Sequence, residues 1–495
     1  MSTDLRRRRQ ERSSRARLRL VSRAVVVACV VLAASARPGA AWEAATTHAG
    51  LTEQAALASG LHDQLRAQFG HQQGLFHVLT VPPQDAPALF EVLQQLNPTH
   101  GYVPDGRGRL HAIGWLVAGS VVADTPPELA ANHFFDPATR SGLNDASLDG
   151  LGQRLTARFR GGVARSGLAA PDWIEHPSNP MGLTGFRSQY AKAVSARTPG
   201  ERARHLAGAL LAAGAMMHVL EDMGSPTHVR NDLAAHLERL GPDGADLGSR
   251  FERVAALAYG RLGVPGTSKP VGDRALRDFL TAKDGSGLAD RTAVSWFSAS
   301  TLPRPISLGG DSRAALATGL RASLRRPAPV PQAGRVALDL ARAGEEGMEL
   351  ADARGVCLAR FRVVENQLRW FIDDACALEQ VAAILPVVTS YAAGMLDSLF
   401  RGSLTLESEG AQIVVRAGTT DLGSGKVSLY WDDARGVRTR LREVAVQRTA
   451  AGQVAASLAG VPGDARRVSA LFEGTDPAGR PLQAAGTSAY PIPGR

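Results

Sequence analysis

The sequence predicts a mainly helical body over residues 42–400, followed by a small C-terminal antiparallel β-sandwich over 401–495. Three observations predict it. Residues 207–220 (AGALLAAGAMMHVL) and 112–124 (AIGWLVAGSVVAD) are proline-free and almost wholly small and apolar, which favours helices buried on most sides. Helix-length patterns continue over 182–196, 247–262 and 336–400. Near Arg401 the pattern changes: SLTLES, AQIVVRAG, KVSLYWDD, REVAVQRT and RRVSALFEG alternate apolar and polar residues, with GSGK, PGD and DPAGR as turns. That period of two, broken by turn residues, reads as strands of a β-sandwich.

The N-terminus explains the chain's charge. The formal net charge is +9, but residues 1–41 carry ten arginines against Asp4 and Glu11, a net of +8, leaving about +1 for the rest. This basic stretch precedes an apolar core, Ala24–Ala34, and the small residues ARPGAA, the pattern of a cleaved export signal. Eleven apolar residues are too few for a permanent membrane span. Gly39 and Ala41 place small side chains at −3 and −1, so cleavage is expected after Ala41, releasing a secreted or periplasmic chain that begins at Trp42. A second reading, a lipoprotein box ending in Cys29, stays open. Beyond the signal only Cys357 and Cys376 remain. They form either a disulfide or two buried thiols, and with no CxxC a thiolate zinc site is excluded. The chain has no P-loop, GxGxxG or GxSxG motif.

Within the helical body, Thr47 and Thr52 flank the first helix start. His62, His71, His77, His100 and His111 are irregularly spaced among Gly, Pro and Gln, and read as loop and surface histidines. The segment 112–124 ends in Asp124, and a proline turn leads to His133 in HFFDP. The segment 205–231 ends the same way. His218 and Asp222, at i and i+4, share one helix face; Gly224 and Pro226 then break the helix before His228. Imidazole and carboxylate are zinc ligands where thiolates are lacking; helix capping and an arginine pair are the alternative use of the same residues.

Taken in order, Trp42, His48, Asp124, His133, His218, Asp222, His228 and Glu252 resemble the zinc-dependent phospholipase C and S1/P1 nuclease superfamily. The matching pieces are W-x5-H followed by LT, AD…HFFDP, H-x3-D-x5-H with PTHVRND, and RFE, together covering roughly residues 42–260. The resemblance implies a helical fold holding up to three zinc ions. Trp42 would bind one through its free α-amino group and carbonyl, with His48 and Asp222. Asp124, His133 and His218 would hold a second, with Asp222 bridging. His228 and Glu252 would hold the third. Where the family has a histidine four residues before that glutamate, this chain has Gly248. His236, Asp246 or water could substitute; His236, eight residues beyond His228, would lie about 12 Å away on a straight helix, and unless the chain bends there it is structural.

The implied chemistry is hydrolysis of a phosphodiester by a water that paired zinc ions acidify, with Asp124 as proton acceptor as well as ligand. The expected substrate is a phospholipid, cleaved to diacylglycerol and a phosphorylated head group, with the β-domain contacting the membrane surface. Thr125 and Ala130 stand where choline-preferring relatives carry aromatics, so no quaternary-ammonium cage is expected; Phe134 and Phe135 read as core. A single-strand nuclease is the alternative enzyme, although no basic groove is apparent. A degenerate metal-binding protein is the alternative without catalysis.

Overall fold

The computed structural model describes residues 44–96, 102–144, 166–236, 239–240, 246–247, 249–259, 269–307, 348–352, 354–365, 367–447 and 453–492. The expected export signal, Trp42 and Gly248 lie outside the described residues.

A π-helical turn, Ala44–His48, runs straight into α1, Ala49–Ala58. Helix α2 (Leu61–Phe69) follows, then a two-stranded antiparallel pair, β1 (Val78–Thr80) with β2 (Arg109–His111). Helix α3 spans Ala112–Val122 and is buried at every position. Helices α4 (Leu183–Ser195) and α5 (Pro199–Asp222) form an antiparallel pair. A capping box starts α5: Thr198 Oγ1 accepts from the Glu201 amide, and Glu201 accepts from the Thr198 amide.

The small-residue runs serve close helix approach. A Cβ added at Gly214 of α5 would collide with the Leu116 carbonyl of α3, and one at Gly119 with the Leu211 carbonyl. Only glycine at both positions lets the two backbones touch, and that contact carries Asp124, just beyond α3, to the end of α5. Beyond α5, a 3-10 turn (His228–Arg230), α6 (Leu233–His236) and α7 (Arg250–Ala258) close the ligand region. Helix α8 (Leu288–Ser295) is held by the buried Arg230, which donates to the carbonyls of Ala293 and Trp296.

The expected helix over 336–400 is corrected. Strands β3 (Met348–Ala351), β4 (Cys357–Val364) and β5 (Gln367–Phe371) pair antiparallel, with Ile306–Ser307 on the far edge, around Trp296, Phe297, Phe361 and Leu368. Only Asp374–Leu399, α9, is helical among the described residues of that stretch. Helices α5 and α9 are long and apolar enough to cross a membrane by length and composition, yet both contribute buried faces to the helical core.

Cys357 and Cys376 are disulfide-bonded across 19 residues, joining β4 to the first turn of α9, a strand to a helix rather than two helical segments. Closing a loop of that length restricts the unfolded chain by about 3 kcal/mol. Cys376→Ser is therefore expected to lower the midpoint of thermal unfolding, and adding reductant to the parent chain to lower it equally; a midpoint indifferent to both would contradict this.

The C-terminal unit is all-β as expected, but its strands form one sheet rather than two stacked ones. β6 (Gly402–Glu409), β7 (Gln412–Ala417), β8 (Gly425–Asp432), β9 (Arg438–Val446), β10 (Gln453–Ser457), β11 (Arg467–Thr475) and β12 (Pro481–Ala489) take the order β9-β8-β11-β12-β6-β7-β10. The sheet curls until its edge strands β9 and β10 touch, and β12 runs parallel to β6. Alternation assigns its two faces. Val427, Leu429, Ala470 and Phe472 fill the interior, while Tyr430 and Leu471 join the helical core. Arg438 fastens the junction: it binds Asp432 (2.6 and 2.8 Å) and Ser469 Oγ (2.9 Å), and donates to the Val194 carbonyl of α4.

Candidate metal centre

The site grows from the end of α5. His218 and Asp222 emerge one turn apart, both fully buried. Asp124, past the end of α3, and His133, on a 3-10 turn (Pro127–His133), face them. His48 enters from the end of the π-helical turn, its ring stacked on His218 at 3.7 Å between centroids.

Three groups of ligand-type residues result, each with its candidate ligand atoms within 4.8 Å of one another: His48, His218 and Asp222; Asp124, His133 and His218; and His228, His236 and Glu252. Asp222 stands at their junction. Its Oδ1 lies 3.3 Å from His48 Nε2 and 3.9 Å from His228 Nε2; its Oδ2 lies 3.1 Å from His133 Nδ1 and 3.4 Å from His218 Nε2. Asp124 reaches His133 Nδ1 at 3.1 Å and His218 Nε2 at 3.4 Å.

Each inward-facing imidazole nitrogen is fixed by what the opposite nitrogen does. His218 Nδ1 donates to the Ser120 carbonyl at 2.8 Å, and His228 Nδ1 to the His133 carbonyl at 2.9 Å. His48 Nδ1 meets Glu221 Oε2 at 2.6 Å. The opposite atoms, Nε2 of all three, are buried without a hydrogen-bond partner, as is Asp222 Oδ1. Buried polar atoms are rarely left so. Here they converge, as ligands around a cation do.

Burial raises the Asp222 carboxyl far above its ordinary value, and the charges of Asp124, Glu252 and Glu221 add to it. Asp124 moves the other way: burial works against ionisation, but His218 and His133 outweigh it and hold it well below. His48 is driven far down by burial, then by His218. Burial, then His236, brings His228 down to about 3. Glu252 is brought to about 2 because His236 and His228, helped by Ser225, overcome its burial. Carboxyl and imidazole groups crowded together in a buried space, with several polar atoms left without partners, are a donor set a divalent cation completes.

All the described expected ligands come together: His48, Asp124, His133, His218, Asp222, His228 and Glu252. Two further residues belong with them: His236, expected there only if the chain bends beyond His228, and Glu221, which the sequence does not single out. His236 is not a bystander. The helix breaks after Asp222, Asn231 takes a left-handed conformation (φ 51°), and Asp232 caps α6 through the Ala235 amide. That bend brings His236 Nδ1 to 3.3 Å from Glu252 Oε2, and its ring to 4.8 Å from that of His228. His228, His236 and Glu252 thus form one ligand group. Phe134 packs between, stacked on His228 at 4.3 Å, and is core rather than cage.

Glu221 is the second. It is fully buried, accepts from Thr52 Oγ1 at 2.9 Å, and holds His48 through Nδ1. Thr52 thus serves this carboxylate rather than a helix start. Glu221 positions a ligand. Glu221→Gln is expected to weaken zinc binding about 10- to 100-fold with the fold retained, checked by competitive titration with a chromogenic chelator; unchanged affinity would remove Glu221 from this role.

Fold and site together define an α-helical body with a buried, multi-group histidine–carboxylate centre, joined to a curled β-domain. No known family, curated protein or solved structure matches the chain in comparison.

Proposed function

We propose that the protein is an exported zinc-dependent phosphodiesterase of the phospholipase C type, hydrolysing phospholipids. The observation that carries this reading is Asp222, whose two oxygens face imidazoles of all three ligand groups. One carboxylate shared in this way suits adjacent metal ions, and adjacent ions suit phosphodiester cleavage. The disulfide accords with an oxidising, exported setting.

In this reading Asp124, His133 and His218 would hold one zinc with Asp222; His48 and Asp222 would hold another, with the Trp42 α-amine; His228, His236 and Glu252 would hold the third. When bound, zinc lowers the pKa of a water and offsets phosphoryl charge. The chain's own contribution is position and proton transfer. Ser120, His133 and Glu221 fix the imidazoles, and Ser225 and Thr227 orient Glu252 at 2.6 and 3.0 Å. In this reading Asp124 is the proton acceptor as well as a ligand. The β-domain makes the contact with the lipid surface.

The test uses the mature chain from Trp42, loaded with zinc, on mixed phospholipid vesicles and on single-stranded DNA, each with and without chelator. Chelator-sensitive release of diacylglycerol without DNA cleavage is expected. Nucleotide release alone would replace the substrate class with nucleic acid, and zinc binding below two ions per chain would replace the enzyme with a degenerate metal protein.

A further inference from the structure

A second cationic site lies away from the ligand centre, where the helical body meets the β-domain. It is a crevice of about 400 Å³ between the end of α2, β1, the N-terminus of α5, and β9 and β11. His71 and His77 line it, stacked at 3.8 Å between centroids and 16° between planes. They are not isolated surface histidines. Neither ring makes a hydrogen bond to another described residue. Arg467 lies alongside: a Cβ at Gly70, just before His71, would stand 3.4 Å from its Nη1. Its guanidinium has no acidic partner among the described residues.

The charge there is not balanced. Arg202, Arg438 and Arg467 all line the crevice, and Asp432 is the acid among them. Both Asp432 oxygens are taken by Arg438, leaving Arg202 at 3.7 Å. Arg202 spends its N–H groups on the carbonyls of Ala196, Arg197 and Gly436, which orient the charge without cancelling it. The α5 N-terminus opens on the same crevice, its field partly offset by the Glu201 carboxylate of the capping box. Gly200 in its first turn has an amide with no acceptor inside the helix, and a Cβ there would meet open space. The consequence is visible in His71, brought down to about 3 by burial, then by His77, Arg467 and Arg202.

We propose that this crevice binds a phosphate dianion, with Arg467 and the Gly200 amide as direct donors, the stacked His71–His77 pair as a flanking wall, and Arg202 supplying charge. Tetrahedral oxyanions fit these parts: a planar guanidinium fork, a helix N-terminus and imidazole N–H groups all donate. A bound dianion would also give His71 the counter-charge it lacks, so the ring would become a donor as the anion arrives. The same chemistry comes from inorganic phosphate or from the phosphomonoester that phosphodiester cleavage releases; only the second source rests on the phosphodiesterase reading. Because the donors come from both the helical body and the β-domain, the bound anion ties the two together.

The experiment reads position, so it does not depend on catalysis. Crystals of the zinc-loaded full chain are soaked in arsenate, and the arsenic anomalous signal is mapped. A peak within hydrogen-bonding reach of Arg467 and the Gly200 amide is expected, lost in Arg467→Glu and weakened in Arg467→Gln. Arg467 is exposed, so both variants retain the fold. Arsenic only at the histidine–carboxylate centre, no arsenic, or zinc on the His71–His77 pair would each overturn the inference. In solution, Arg467→Glu should weaken one class of phosphate site at least 10-fold, and identical titrations of parent and variant would overturn it. Titration with phosphocholine distinguishes the sources: tighter binding than inorganic phosphate identifies the reaction product, weaker binding the free ion.

Discussion

Asp222→Asn is expected to abolish zinc-dependent hydrolysis while leaving a folded, and in the metal-free state sturdier, protein. The amide removes the shared charge, and its N–H₂ can donate to imidazole nitrogens whose lone pairs otherwise wait for a cation. Side-chain rotation offers no escape, because Asp222 is fully buried. Activity should fall on the order of 10³-fold or more, the equivalent of about 4 kcal/mol of lost charge stabilisation. Bound zinc should drop by at least one ion per chain.

Stability should move the other way once metal is stripped. Burial and three neighbouring carboxylates raise the Asp222 pKa. Below the ordinary carboxylate range the group is neutral in folded and unfolded chains alike and costs nothing. As pH climbs from there through the raised folded value, the wild-type chain loses that stability, whereas the substituted amide has nothing to ionise. The thermal midpoint of the metal-free variant should therefore equal the wild type's at low pH and exceed it increasingly toward neutrality. A variant that unfolds outright, or that keeps full activity, would refute the shared-ligand role.

Chelation of the zinc-loaded wild type should reproduce the first effect and reverse the second. Ions that bind only the folded chain add their binding free energy to its stability. With several sites, their removal should lower the midpoint by on the order of 10 °C, and zinc should restore midpoint and activity together. A chelator that changes neither would show that the buried histidines and carboxylates satisfy one another without an ion.

Much of this centre is legible from local spacing. His218 and Asp222 are one turn apart on a helix whose apolar surroundings announce burial, and the Pro126-Pro127 turn aligns Asp124 with His133. Glu221 escapes such a reading because a charged residue next to a ligand looks like a solvated neighbour; its signal is the absence of any polar face on the last turns of α5. His236 is legible only conditionally: a straight helix beyond His228 puts it out of reach, and the bend that brings it in lies at Asn231-Asp232, a left-handed residue followed by a helix cap. The strands over 348–371 are lost among flanking helical patterns, despite the alternation in CLARFRVV and QLRWF. In the β-domain, β10 and β12 are rich in alanine and glycine, poor strand formers, and which strands pair is set by contacts no local pattern records.

Helix α9 gives the molecule a particular order of assembly. Every described ligand lies before residue 253, yet α9, more than a hundred residues later, packs along α1 and α7 and closes the core over them. Its Asp397 accepts from the Gly60 amide across 337 residues. The ligand-bearing segment is thus complete in sequence long before it is complete in structure, and contact order, not ligand content, sets when it can hold an ion. A chain halted near residue 260 would carry nearly all its metal chemistry on an open apolar surface, vulnerable to aggregation until α9 emerges. The smallest folded unit of this centre therefore cannot end before Phe400.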